Sequence, residues 1–373
     1  MRTVVELLQE LIRIPSVNPD GEPGTDRTGE EEIAGYVADF LRSECGAEVE
    51  IEPVLPGRPN VIGRFPSRLT ARGHRVLLGP HLDTVGVGGM TIEPFGGEVR
   101  DGKVWGRGAS DTKGSLAAML WALREVRGCP ERMDVVFAGF MGEESSQHGS
   151  RHFARHHAGE ADFGIAGEPT GLQVVRAHKA CWWMEVIVRG KAAHGSKPEL
   201  GDNAVLKMAD LAGKLQGELS RRLPEFDDEV LGRSTHSINQ FHGGVRANVV
   251  PDECRIVLDI RATPALHEFG VAQLLQESVE AAGHPQAAIR VISQAPVLKT
   301  APDHPMVLRL RTLGAGLTTA PWFCDASWLA EAGIPSIALG PGVIDQAHTV
   351  DEWIRVSDLE EGARFFTRFL RDS

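Results

Sequence analysis

Short apolar runs at 75–79 (RVLLG) and 134–140 (DVVFAGF), with another at 59–64, are continuous rather than alternating. A strand with one face in water alternates polar and apolar residues. Continuous runs need cover on both faces, which in a globular chain means helices packed above and below a largely parallel sheet. Helical spacing is interleaved with these runs. Val4, Leu7, Leu8 and Leu11 share one face of a segment at 3–13 that Pro15 ends. Thr28 followed by Glu31 has the form of a capping box opening a second helix, with Ile33, Tyr36, Val37, Phe40 and Leu41 on its apolar face. A third helix is expected over Ser115–Val126, with Gly128 and Pro130 closing it.

Near residue 179 the pattern changes. Residues 181–189 (CWWMEVIVR) are strand-like, 203–223 helical, 234–241 and 254–261 extended, 267–282 helical and 287–293 extended again. That order is β-α-β-β-α-β, the ferredoxin-like split unit. The earlier pattern then resumes, with a helix near 305–313, a strand at 335–339 and a terminal helix from Ser357. The expected organisation is therefore one α/β domain built from 1–178 and 294–373, interrupted by a smaller domain at 179–293.

Composition narrows the partners. With 39 basic and 51 acidic side chains the formal charge is −12, which argues against nucleic acid or an anionic membrane surface as a partner. No apolar run approaches the roughly 18–20 residues that span a bilayer. Glu6 and Glu10 inside the first apolar stretch are unlike a secretory signal. Five cysteines, odd in number and without a CxxC pair, read as reduced thiols of a cytoplasmic protein.

Five segments place acids and histidines among glycines after strand-like runs: LLGPHLDTV (77–85), GRGASDTKG (106–114), MGEESSQHGS (141–150), AGEPTG (166–171) and GPGVIDQAHTVDE (340–352). Strand ends are where α/β proteins bind ligands, and carboxylates there are costly unless paired or coordinated. Each piece alone has a plain reading: Glu143-Glu144 as a solvated acidic pair, a lone HxD as a surface or core contact, His348 as a loop cap. Together, His81, Asp111, Glu144, Glu168 and His348 offer two imidazoles and three carboxylates, a donor set suited to zinc or cobalt. Two tetrahedral ions with one open position each need about six protein bonds, so one carboxylate must bridge. Asp111 is the expected bridge, on the argument that Gly106, Gly108 and Gly114 let two ions approach the backbone. Ions about 3.5–4 Å apart would bring the pKa of a shared water toward about 7. Glu143 would take that water's proton, and Asp83 would accept the other ring N–H of His81.

The five segments together resemble the co-catalytic zinc amidohydrolases, a family that includes acetylornithine deacetylases, succinyl-diaminopimelate desuccinylases, aminoacylases and glutamate carboxypeptidases. The resemblance covers essentially the whole chain. It implies that His81 and Glu168 hold one ion, Glu144 and His348 the other, with Asp111 between them. It also makes Glu143 the general base and acid, and the inserted domain a lid and dimerisation surface. GKAAHGSKP resembles the segment whose histidine, here His194, steadies the tetrahedral oxyanion. RANVVPDECRIVLDIR resembles the stretch whose Asn and Arg, here Asn248 and Arg261, grip a substrate carboxylate. Gly340 and Gly342 are expected to offer backbone N–H groups to the same region. The string around His348 is similar to that of the acetylornithine deacetylases, which implies a small N-acyl amino acid substrate. Desuccinylase or dipeptidase and carboxypeptidase activity is the alternative, and a non-catalytic binding protein is disfavoured because every functional position is filled.

Overall fold

The structure is a computed structural model that describes residues 2–65, 74–127 and 133–371. In chain order the strands that matter are β1 (Glu48–Leu55), β2 (Arg58–Arg64), β3 (His74–Gly79), β4 (Met133–Gly139), β5 (Phe163–Ala166), β6 (Val174–His178), β7 (Ala180–Arg189), β8 (Thr235–Gly243), β9 (Glu253–Ala262), β10 (Ala288–Ala295) and β11 (Ser336–Ala338). The helices are α1 (Val4–Arg13), α2 (Glu31–Phe40), α3 (Lys113–Glu125), α4 (His148–His156), α5 (Ala204–Arg222), α6 (Pro264–Phe269), α7 (Val271–Ala281), α8 (Pro305–Thr312), α9 (Ala326–Glu331) and α10 (Val356–Arg371). The chain divides into two compact units, 1–176 with 300–319 and 324–373, and 177–299 with 320–323.

The first unit is an α/β layer whose sheet runs in the order β1-β2-β4-β3-β5-β11-β6. Its four central strands, β4, β3, β5 and β11, are mutually parallel. The flanking pairs β1–β2, β2–β4 and β11–β6 are antiparallel, so the parallel character expected of the whole sheet belongs to its centre. Successive residues of the central strands point to opposite faces. Val76 and Leu78, and likewise Val135 and Phe137, enter a core shared with α1, α2, α3 and α10. Leu77, Val136 and Ala138 enter a second core with Phe140, Phe153 and Leu329 beneath α4 and α9. That division is why the runs are apolar throughout.

Local signals explain most of the helices. Thr3 and Glu6 form a capping box on α1, which buries Val4, Leu7, Leu8, Leu11 and Ile12. Thr28 does not cap α2. The cap position falls at Glu30, which makes no side-chain capping bond because its carboxylate is taken by the buried Arg58 at 2.7 and 2.8 Å. Gly128 and Pro130, expected to close α3, lie outside the described residues, as does Cys129.

The second unit has a four-stranded antiparallel sheet in the order β8-β9-β7-β10, the split β-α-β-β-α-β arrangement. Met184, Val186 and Val188 of β7, with Ile256, Leu258 and Ile260 of β9, pack on Leu211 and Leu215 of α5 and Leu274 and Leu275 of α7. The helix expected over 267–282 is two helices, because Gly270 adopts φ 107° between α6 and α7. Among the described residues no helix is long and apolar enough to cross a membrane.

Candidate metal centre and active site

The parallel strands end at one edge of the sheet, and each carboxyl end leads into a loop that carries a site residue. His81 follows β3, Glu143 and Glu144 follow β4, Glu168 follows β5, and Gly340 and Gly342 follow β11. Asp111 sits just before α3, with a cis peptide to Thr112, and His348 adopts a left-handed φ of 59°.

At the centre, one Asp111 oxygen lies 3.1 Å from His81 Nε2 and the other 3.5 Å from His348 Nε2. Glu144 Oε2 lies 2.9 Å from the same His348 nitrogen. Ligand atoms of His81, Asp111 and Glu144 all fall within 4.8 Å of one another. Burial, reinforced by Asp111, pushes the Glu144 carboxyl up to about 7, and burial with Asp111 holds Glu168 well above the usual carboxylate range. Burial followed by Glu168 and Asp325 does the same to Glu143. Burial opposes a charged His81, but Asp111 and Asp83 outweigh it. The bond to Glu144 raises His348 to about 8. Glu144 Oε1 is buried with no hydrogen-bond partner among the described residues. Crowded carboxylates, imidazole nitrogens aimed between them and an unanswered buried oxygen all fit a divalent cation.

Two carboxylates hold the loops that carry these groups. Asp83 was expected to meet the His81 ring. The ring nitrogen Nδ1 meets both the main-chain oxygen of Asp83 at 2.9 Å and its carboxylate at 3.5 Å. That carboxylate accepts from the backbone N–H groups of Glu143 and Glu144, at 3.0 and 3.1 Å, and from Asn18 at 2.7 Å. Glu352, which carried no role in the sequence reading, accepts from the backbone N–H groups of Gly108, Ser110 and Asp111 at 2.7–2.8 Å and from Arg107 at 3.0 Å.

The glycines around Asp111 are closely packed. A Cβ at Gly108 would meet Thr84 at 2.8 Å and one at Gly114 would meet the Ala109 carbonyl at 2.6 Å, and Gly106 holds φ 146°. Asp325 is a further buried carboxyl that sequence reasoning missed. It bonds Ser150 through one oxygen, leaves the other without a partner among the described residues, and is pushed up to about 7 by burial. No local pattern around DASWLA singles it out.

The Gly340 N–H is already donated to the Thr170 hydroxyl at 3.2 Å, so it does not offer the free donor expected of it. Gly342 adopts φ 82°, and its carbonyl accepts from Gly171 at 2.7 Å. The remaining expected residues belong to the second unit. The exposed His194 pairs with Val249 across a two-residue ladder, and Gly195 donates to the Asn248 carbonyl at 2.8 Å, so those two segments are neighbours. Arg261 forms a fork with Asp259 at 2.7 and 2.9 Å and lies over Phe323.

Residues 77–372 match the model of peptidase family M20/M25/M40. The chain belongs to that family. It is an M20 family hydrolase, and two curated relatives span nearly all of it. One, named acetylornithine deacetylase, from Proteus mirabilis (strain HI4320), is 31% identical over 368 residues, covering 96% of this chain and 93% of its own. Another of the same name, from Klebsiella pneumoniae (strain 342), is 30% identical over 361 residues, covering 94% and 92%. Among solved structures, an M20 family metallo-carboxypeptidase from Sulfolobus solfataricus superposes with a TM-score of 0.79 at 20% identity, over 99% of both chains. The mixed α/β architecture is thus that of M20 structures.

Proposed function

We propose that this M20 hydrolase removes the acyl group from the α-nitrogen of an N-acyl amino acid, with N-acetyl-L-ornithine as its substrate. The observation that carries the reading is Asp111, whose two oxygens face two different imidazoles with Glu143 in the adjoining loop. His81 and Glu168 would hold one divalent ion, Glu144 and His348 the other, and Asp111 both. Zinc or cobalt suits the donor set. When bound, the ions supply Lewis-acid polarisation of the amide carbonyl and acidify water.

The protein's own groups do the rest. Glu143 accepts the proton of the attacking water and returns it to the departing amine nitrogen. Asp83 keeps Glu143 and Glu144 in place by holding their backbone N–H groups. His194 donates to the oxyanion, while Asn248 and Arg261 grip the free carboxylate. The fork to Asp259 uses Nε and Nη2 of Arg261, which leaves the Nη1 edge for that task. In this reading the enzyme works in the cytoplasm, in arginine biosynthesis, as a homodimer joined through the inserted unit. The names of the two curated relatives support the choice of substrate.

The test compares kcat/KM for N-acetyl-L-ornithine, N-succinyl-diaminopimelate and a set of dipeptides. N-acetyl-L-ornithine is expected to lead by about 100-fold or more. A dipeptide or the succinyl substrate in first place would move the enzyme to the desuccinylase or peptidase branch.

A further inference from the structure

Gln147, four residues beyond Glu143, is buried and adopts a left-handed φ of 54° at the start of α4. Its Nε2 donates to Glu143 Oε1 at 3.0 Å, and its Oε1 accepts from the indole Nε1–H of Trp328, on α9, at 2.8 Å. An indole nitrogen can only donate. The amide must therefore turn its oxygen to Trp328 and its NH2 to Glu143, which settles an orientation that side-chain shape alone leaves open. Trp328 is itself fixed, with the Arg151 guanidinium 4.5 Å above its ring. Close by, Ser150 of α4 donates to Asp325 at the start of α9, so α4 and α9 are tied on both sides of the amide.

We propose that Gln147 and Trp328 are positioning residues that aim the Glu143 carboxylate. The amide occupies Oε1 and leaves Oε2 as the oxygen that takes the proton from water. The inference rests on the reading of Glu143 as the base. Its physical content is that a base must be aimed as well as present, and that an oxygen held by a locked donor cannot swing away. Trp328 acts only through Gln147, since its N–H has no bond to Glu143.

The experiment measures amine release from N-acetyl-L-ornithine by zinc-loaded protein, with thermal melting and zinc content recorded for each variant. Gln147→Met keeps length without the amide and should lower kcat about 10–100-fold, with KM within about twofold of the parent. Trp328→Phe should lower kcat by a smaller factor, and it carries the test should Gln147→Met fail to fold. In the double variant kcat should match Gln147→Met alone, because one path has been cut twice. In a Glu143→Ala background Gln147→Met should change nothing further. Variants that melt lower but keep the parental kcat would overturn the proposal and reduce these residues to helix packing, and losses that multiply in the double variant would also overturn it. Glu143→Ala separates the two readings. Near-normal turnover by that variant would fail the base itself, whereas lost turnover there with full turnover in Gln147→Met would fail only the relay.

Discussion

As the proposed base, Glu143 would face the greatest chemical demand of any side chain in the site, since it must be a carboxylate among carboxylates and be aimed. Glu143→Ala is expected to keep the metal content of the parent and lower kcat by at least about 100-fold, the scale of a lost general base. Metal analysis alongside single-substrate kinetics checks both halves. A carboxylate or imidazole near a buried strand end needs a partner, which is how residue type and place single out His81, Glu143, Glu144 and Glu168 as candidates, and the structure brings His81, Asp111, Glu144 and His348 close together. The bonds that Asp83 and Glu352 make to backbone, and those of Gln147, were not legible in the sequence. Asp83 and Glu352 answer backbone N–H groups that converge only once the loops have folded. Gln147 finds its second partner 181 positions away, on another helix. The glycines near Asp111 mark close approaches without the sequence saying what approaches.

At the scale of elements, the loop before α3 depends on Glu352, which is fully buried against Arg107 and three backbone N–H groups. Glu352→Ala strands the Arg107 charge and should cost about 3–5 kcal/mol, read from the midpoint of urea unfolding. The docking of α4 on β1 carries a pH signature. Glu52 of β1 meets His152 at 2.9 Å and His157 at 3.1 Å, and His157 also meets Glu160 at 2.9 Å. Burial works against a charged His157, but Glu52 and Glu160 outweigh it and raise its pKa above the usual value. The stabilisation is then complete below the unfolded histidine value of about 6.5 and lost as pH rises through the raised one. The melting-temperature gap between parent and His157→Asn should accordingly be wider at about pH 5.5 than at about pH 8.5. Strands with continuous apolar runs could be read directly. β1 could not, because Glu48, Glu50, Glu52 and Pro53 are what an exposed edge strand carries to discourage pairing, and they look like loop.

At the scale of the whole molecule, the legible signal was the order of elements, which changes near residue 179 to β-α-β-β-α-β. Strands buried on both faces run continuously, whereas β9 alternates, with one face packed on α5 and α7. Replacing residues 180–293 by a short linker should yield a monomer with almost no amidase activity, checked by sedimentation and by amine release. A dimer would move the subunit contact off the inserted unit. The proposed reaction is hydrolysis of an N-acyl amino acid with metal held by His81, Asp111, Glu144, Glu168 and His348. The most direct measurement is amine release from N-acetyl-L-ornithine by protein stripped with a chelator and then reloaded with zinc or cobalt. Release that appears only after reloading, with kcat/KM above about 10⁴ M⁻¹s⁻¹, is the predicted result. Undiminished release by the stripped protein, or none after reloading with metal shown to be bound, would contradict it.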